Sequence, residues 1–584
     1  MQSFIAGIGM AILVAAAAVP AQAAPAKTSK TSADAQFTAI YTKEWAWRTA
    51  QFGRQDDKGV DNFLPKMDQA TQDMRQHYWE DTLKQVQAIP RAELSEKQQV
   101  NYDVYVPQLR VLIEDQKFHT YEMPANSDSQ FWSGFEHTRG FKSEQDYKNW
   151  IAQMRDIPRF FDEETALMKA GLARGFTPPQ VTLEGRDKSI SNVINAKPED
   201  TAFYKPFKDM NAVPEADRAA LQAEAVSVIR DTIQPAYVKL LAFWNNEYVP
   251  GARKTLAADD LPNGKAFYRS QIIEYTTLDM DPAEIHKIGE AEVARLHQEM
   301  LGAMKESGFK GDFDAFQKFL RTDPQFYAKT PQELLNDAAW IAKKFDGKAA
   351  QYFGLMPRTR FAIVPVPADI APFYTSGRGG SGVYLLNTYD LPHRPLFNLT
   401  ALTLHESAPG HAWQGPIAAE DKELPDFRRY TYISAYGEGW ALYCEWLGNE
   451  MGMYETPYDR YGMYGYQIWR AARLVVDTGI HSQGWTRQQA IDYMVKYTSL
   501  PEHEVETEVD RYITWPGQAL SYYMGEMEIK KLRAKAEAAL GPKFNIRAFH
   551  DTVLQLGSVP LPVLDARIDR FIADGGKGPY PDLE

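Results

Sequence analysis

Two histidines six residues apart, with a proline and a glycine between them, restrict how this chain can fold more than any other feature of its sequence. They stand in His405-Glu406-Ser407-Ala408-Pro409-Gly410-His411. On a straight helix at about 100° per residue, six steps leave two side chains roughly 120° apart. Pro409 opposes such a helix directly, because its ring clashes with the carbonyl of His405 and it has no N–H to bond there. Gly410 tolerates backbone angles that other residues avoid. The stretch therefore predicts a helix that breaks or bulges at Pro409-Gly410 and swings His411 back beside His405.

Two imidazoles with a carboxylate beside the first are the set with which gluzincin-type metallohydrolases hold zinc and activate water. With only 11 histidines in 584 residues, a chance grouping is disfavoured. His405 and His411 are read as ligands of one Zn2+ per chain and Glu406 as the base. The third ligand in such sites is often a carboxylate from the next helix, and Glu438 is the candidate. It opens Glu438-Gly439-Trp440-Ala441-Leu442-Tyr443-Cys444-Glu445, in which Glu438 and Glu445 lie two turns apart on one helix face. Glu445 is then placed to accept the second N–H of a ligand imidazole. Glu420, Asp421, Glu423 and Asp426 are nearer in sequence, but Pro425 and the density of charge mark a solvated loop.

Four blocks in this order resemble the signature blocks of a large bacterial family known as domain of unknown function 885. They are the His405 to His411 stretch, Glu438-Gly439-Trp440-Ala441-Leu442-Tyr443, Asp477-Thr478-Gly479-Ile480-His481 and Pro516-Gly517-Gln518-Ala519-Leu520-Ser521-Tyr522. The resemblance runs over nearly the whole mature chain. In motif logic the family is similar to helical zinc peptidases such as thimet-type oligopeptidases, angiotensin-converting enzyme and dipeptidyl peptidase III, the last of which also has an expanded His-Glu motif. What the resemblance implies is a mainly α, two-lobed gluzincin-like architecture around a cleft, and a peptidase acting on oligopeptides. It also implies catalytic roles for His481 or Tyr522 as donors to the oxyanion. On spacing alone Arg473, Asp477 and His481 form a salt-bridged stripe along one helix face, and Tyr522 is a core tyrosine bonded to a carbonyl. Arg511 and Gln518 stand close to Tyr522 in sequence. Arg511 could hold the C-terminal carboxylate of a peptide, which would make an exopeptidase.

Residues 1–23 read as a secretory signal, with an apolar run from Phe4 to Val19 and small residues Ala21 and Ala23 before a cut at Ala23/Ala24. The protein is thus expected to be exported, periplasmic or secreted, and no later stretch is long and apolar enough to hold it in a membrane. Residues 24–36 are small, polar and basic and read as a flexible tether, and residues 37–584 as one catalytic unit undivided by a linker or repeat. The net charge of −13 argues against nucleic acid as a partner. Cys444 is the only cysteine, so no disulfide closes within the chain and stability rests on a core. The 13 Trp, 31 Tyr and 29 Phe suggest an aromatic-rich interior or a lined cleft.

Helical periodicity runs from Glu144 to about Gly175, and from Glu215 to a kink at Pro235. Asp281-Pro282-Ala283-Glu284 reads as a helix start, and Thr486 to Gln489 as a capping box. Phe131, Trp132 and Phe135 form an aromatic loop that either borders a substrate channel or tucks against its own domain. Phe361 to Val366 and Gly382 to Thr388 are the strand candidates, a small β element beside the motif helix. Between them Gly377-Arg378-Gly379-Gly380-Ser381-Gly382 lacks the Gly-Lys-Ser/Thr of a phosphate loop. Val383 to Asn387 is expected to act as an edge strand that binds the substrate backbone, with Asn387 and Tyr374 assisting. Two rival functions stay open: a zinc hydrolase of another amide or an ester, and a peptide-binding protein without turnover.

Overall fold

Ser32, the first described residue, accepts the Ala35 N–H at 3.2 Å and caps a first helix, α1 (Ala33–Phe52). The computed structural model describes residues 32–53, 59–127, 129–135, 140–368 and 371–580. The expected signal and residues 24–31 of the tether lie outside these residues, while residues 33–36 of that tether belong to α1.

The chain is mainly α-helical with one small sheet. After α2 (Glu96–Phe118) comes α3 (Glu144–Arg174), the spine of an aromatic core that spans residues 60–252. Phe131, Trp132 and Phe135 belong to this core. Trp132 packs its ring 5.0 Å from Trp244 and donates to Ser189 Oγ at 2.9 Å, so the three rings tuck into their own core, while Ser129 at the start of the loop lines the large cavity. The helix expected to kink at Pro235 contains π-helical turns at Ile229–Ile233 and Trp244–Tyr248. Each precedes an α-segment whose second residue is a proline, Pro235 or Pro250, and the wider turn absorbs the missing N–H without a ring clash.

The rest of the chain, joined by α1 and α2, builds two further cores, through α4 (Pro282–Glu306), the sheet, α5 (Leu396–Glu406), α6 (His411–Glu420), α7 (Ser434–Glu450), α8 (Pro457–Gln483), α9 (Glu502–Thr514) and α10 (Ser521–Leu540). Helix α4 starts where the sequence predicts, with Asp281 accepting the Ala283 N–H at 2.8 Å. It packs lengthwise on α8, with Gly289 at the closest approach: a Cβ there would sit 2.7 Å from Val475 Cγ2. Helices α7 and α10 cross just as closely, since a Cβ on Gly525 would lie 1.9 Å from the Ala435 carbonyl oxygen. That crossing fixes the height at which α7 presents Glu438.

Strands β1 (Ala362–Pro365), β2 (Gly377–Gly380) and β3 (Val383–Leu386) form a sheet in the order β1-β3-β2, with β1 parallel and β2 antiparallel to β3. This corrects the expected edge strand: β3 is central, and the glycine-rich segment is one of the two edges. Having almost no side chains, β2 lies flat on the end of α5, where a Cβ at Gly379 would be 1.7 Å from the Glu406 carbonyl oxygen. Among the described residues no helix is long and apolar enough to cross a membrane.

Candidate metal centre

Helix α5 stops at Glu406 and α6 starts at His411. Ser407 (φ −99°, ψ −115°) and Gly410 (φ −77°, ψ −133°) leave the helical region, and the Ala408–Pro409 peptide is cis. The freed polar groups find partners: the Gly410 N–H bonds the Leu404 carbonyl and the Ala412 N–H the Ser407 carbonyl, both at 3.0 Å. Trp440 Nε1 donates to the Pro409 carbonyl at 2.8 Å. Only glycine serves at 410, because a Cβ would lie 1.8 Å from the His405 carbonyl oxygen. The break brings the two imidazoles edge to face, with centroids 4.9 Å apart.

Glu438 joins them from α7. Its Oε2 lies 3.5 Å from His405 Nε2 and 3.3 Å from His411 Nε2, and the ligand atoms of all three residues lie within 4.8 Å of one another. Around a tetrahedral zinc with bonds of about 2.0–2.2 Å, neighbouring donors stand about 3.3–3.5 Å apart, so the set fits the ion. Its electrostatics point the same way. Burial would raise the Glu438 carboxyl, yet His411 and His405 hold it well below the usual carboxylate range. Burial would likewise lower His405, but Glu438 and Glu445 push it up to about 10. The carboxylates thus hold a cation at the cluster, a proton on His405 or, in its place, a metal ion.

The surrounding residues orient the donors. His405 Nδ1–H donates to Glu445 Oε1 at 2.7 Å, which turns the Nε2 lone pair toward the cluster as the coordinating atom. Tyr432 Oη donates to Glu438 Oε1 at 2.9 Å, a contact that no motif or period in the sequence marks. The nearest signal is Gly437, where a Cβ would lie 2.2 Å from the Tyr432 ring. The Gly379 N–H of β2 donates to Glu406 Oε2 at 2.5 Å and so fixes the carboxylate beside the two histidines.

A cavity of about 2040 Å³ opens over His405, Glu406, His411 and Glu438, and Tyr374, Arg511, Gln518 and Tyr522 also line it. Arg511 Nη2 donates to Gln518 Oε1 at 2.6 Å and lies 3.4 Å from Tyr522 Oη. Tyr374 faces the Arg378 guanidinium, 5.6 Å from its ring centre. Two expected site residues lie elsewhere. His481 is fully buried off the cavity, with Nδ1 accepting the Ala258 N–H at 3.1 Å and Nε2–H donating to the Tyr512 carbonyl at 2.8 Å. Both nitrogens are consumed, burial lowers its pKa to about 3, and it has no N–H left for an oxyanion. Asn387 is buried as well, its amide donating to the carbonyls of Ala371, Tyr374 and Thr375 and its Oδ1 accepting the Tyr389 N–H, so it clamps a turn and does not reach into the cavity. Asp477 accepts Tyr268 Oη at 2.6 Å and the Gly517 N–H at 3.2 Å, which ties two of the four signature blocks together. Glu420 accepts the N–H groups of Arg358 and Thr359.

Fold and cluster together define a helical protein with a His-His-Glu centre on the wall of a large cavity. Residues 48–568 match the family described as "Bacterial protein of unknown function (DUF885)", and the chain belongs to that family. Among solved structures it is similar to a "putative lipoprotein" from Colwellia psychrerythraea, with a TM-score of 0.86 and 25% identity over 93% of this chain and 100% of that one. It is also similar to a "putative lipoprotein of unknown function" from Shewanella oneidensis, with a TM-score of 0.69 and 18% identity over 92% of this chain and 99% of that one, a likeness of fold. No curated protein matches the sequence.

Proposed function

We propose that this protein is an exported zinc-dependent peptidase that cleaves peptide bonds in oligopeptides. The observation that carries the reading is the spacing of His405 Nε2, His411 Nε2 and Glu438 Oε2 beside a carboxylate, Glu406, held by a backbone N–H on the same cavity wall. Zinc bound by the three would supply a Lewis acid that polarises a carbonyl and acidifies water. Glu406 takes the proton of the attacking water and hands it to the leaving amine. Tyr522, on the cavity wall, is the phenol available to the oxyanion.

Strand β2 favours peptides over simple amides or esters. The Asn387 N–H bonds the Ser376 carbonyl at 3.0 Å, so by the antiparallel alternation Arg378 and Gly380 face β3 while Gly377 and Gly379 turn their polar groups outward. Of these groups the Gly379 N–H is held by Glu406 and the Gly377 carbonyl by Thr375 Oγ1, so the Gly377 N–H and the Gly379 carbonyl are the main-chain partners that an extended peptide can meet at this edge. The intact base, Glu406, speaks against a binder without turnover. For export, the supporting features are the apolar N-terminal run and the lipoprotein descriptions of the two similar structures. The one cysteine, Cys444, is buried in α7, so lipid attachment through cysteine is no part of the reading.

The test is Glu406→Gln assayed against peptides, simple amides and esters. The variant should retain zinc and lose about 10²–10⁴-fold or more in turnover on peptides. Unchanged turnover would remove Glu406 as the base, and turnover of esters or simple amides alone would transfer the site to a different hydrolase class.

A further inference from the structure

One wall of the cavity, made by α8 and α9, takes no part in the chemistry above. It carries Arg470, Arg473 and Arg511, with Arg394 beside them and Glu504 and Glu508 among them. Arg473 is only 2% exposed. Its Nε donates to Tyr512 Oη at 2.8 Å and its Nη2 to Glu508 Oε2 at 3.0 Å, while Nη1 has no hydrogen-bond partner among the described residues. Trp469 and Tyr522 cover its guanidinium, with ring centres 4.4 and 4.6 Å away. Arg470, 6% exposed, lies over Trp469 at 4.2 Å with its Nε likewise unpartnered. Arg511 reaches the same Glu508 oxygen at 3.3 Å, so one carboxylate oxygen serves two guanidiniums.

The charges at this wall do not balance. Four guanidiniums, those of Arg394, Arg470, Arg473 and Arg511, face three carboxylates, those of Glu504, Glu508 and Glu445, and Glu445 is shared with His405. The other charged groups nearby are already engaged: Asp510 with Arg487 at 2.6 Å and Asp390 with His393 at 2.7 Å. Buried guanidinium groups without an anion are costly, and aromatic stacking fixes these in place before any ligand arrives. The wall also adjoins the metal centre. Arg470 Nη2 lies 4.0 Å from Glu445 Oε1, the same oxygen that holds His405.

We propose that this wall is a carboxylate subsite, with Arg511 as the contact and Arg470 and Arg473 as the fixed positive charge behind it, and that it receives the α-carboxylate of a peptide. The proposal rests on the peptidase reading for its ligand class and deepens it. A C-terminus held beside the metal centre puts the scissile bond close to that end, so the products are a free amino acid or a very short C-terminal peptide. Arg511, its side chain 16% exposed, has Nη1 on the shared Glu508 oxygen and Nη2 on the neutral Gln518 amide, partners that a ligand carboxylate matching its planar fork would replace. Tyr522 Oη, the phenol proposed for the oxyanion, lies 3.4 Å from Arg511.

The experiment is calorimetric binding of product mimics to the mature protein as purified: N-acetyl-leucine, its amide, and the α-amide of N-acetyl-glutamic acid. N-acetyl-leucine should bind at least about tenfold tighter than its amide, and Arg511→Gln should abolish the difference. The metal-site variant His411→Ala should keep it. Equal binding of acid and amide by the wild type, which needs no variant to fold, overturns the proposal. A preference that survives Arg511→Gln but vanishes in His411→Ala assigns the carboxylate to the metal and overturns it as well. Tighter binding of the glutamic acid α-amide than of N-acetyl-leucine assigns the wall to acidic side chains and overturns the terminal assignment. If no peptide is hydrolysed but the acid preference and its loss in Arg511→Gln hold, the peptidase reading falls and the carboxylate subsite stands.

Discussion

Replacing Glu445 tests whether the His405 imidazole is tuned from behind. The carboxylate is fully buried, accepts His405 Nδ1–H at 2.7 Å and has no water-exposed route to a substitute partner. A hydrogen bond to a charged acceptor contributes about 1.5–3 kcal/mol and a neutral one about 0.5–1.5. Glu445→Gln keeps an acceptor but removes the charge, which should weaken zinc by about 1–1.5 kcal/mol, or about five- to thirteenfold. Glu445→Ala removes the acceptor too and strands the His405 N–H and the nearby Arg470, so the loss should reach about 2–3 kcal/mol, or about 30- to 150-fold. Zinc dissociation constants from competition with a chromogenic chelator near neutral pH measure this directly. Thermal unfolding of the metal-free variants separates any general loss of stability. Zinc affinities within about twofold of wild type for both variants would refute the reasoning, because Glu445 would then be a buried acid with no hold on the metal ligand.

Gly410→Ala should abolish zinc binding, since its Cβ meets the His405 carbonyl oxygen at 1.8 Å and the turn that returns His411 must move; metal content of the soluble variant checks this. His481→Gln should lower the melting temperature yet leave kcat and KM of the folded fraction within about twofold, since His481 bonds only backbone groups away from the cavity. His550 is buried between Tyr443 Oη and the Tyr352 carbonyl, and burial lowers its pKa from 6.5 to about 3. The unfolded chain therefore binds the extra proton first, and the stability His550 confers is present above pH 6.5 and is lost as pH falls toward 3. Chemical denaturation of wild type and His550→Gln should show their difference shrinking by about 2 kcal/mol between pH 7 and 5; a constant difference would mean that His550 takes up its proton at the same pH folded as unfolded.

The parts of the site that sequence reading recovers are those where one residue's chemistry forbids the alternatives. Pro409 cannot continue α5, Gly410 alone fits under the His405 carbonyl, and the spacing of Glu438 and Glu445 on one helix face puts both carboxylates near the histidines. The α4 start at Asp281 and the capping box at Thr486 were legible for the same reason. Strand β2 was not, because a run of glycines has no side chains to alternate, and its strand character comes from pairing with β3. His481 misled because it shares a helix face with Arg473. Eight residues carry it about 12 Å along α8, past the cavity and into the packing of Ala258 and Tyr512. Tyr432 lies in the turn before α7, where nothing local distinguishes a phenol that reaches Glu438 from one that does not.

The zinc content of the purified mature protein, measured by elemental analysis alongside His411→Ala, tests the central claim most directly. The account predicts close to one zinc per chain in the wild type and little or none in the variant. No metal in the wild type after incubation with zinc, or equal metal in both proteins, would contradict it.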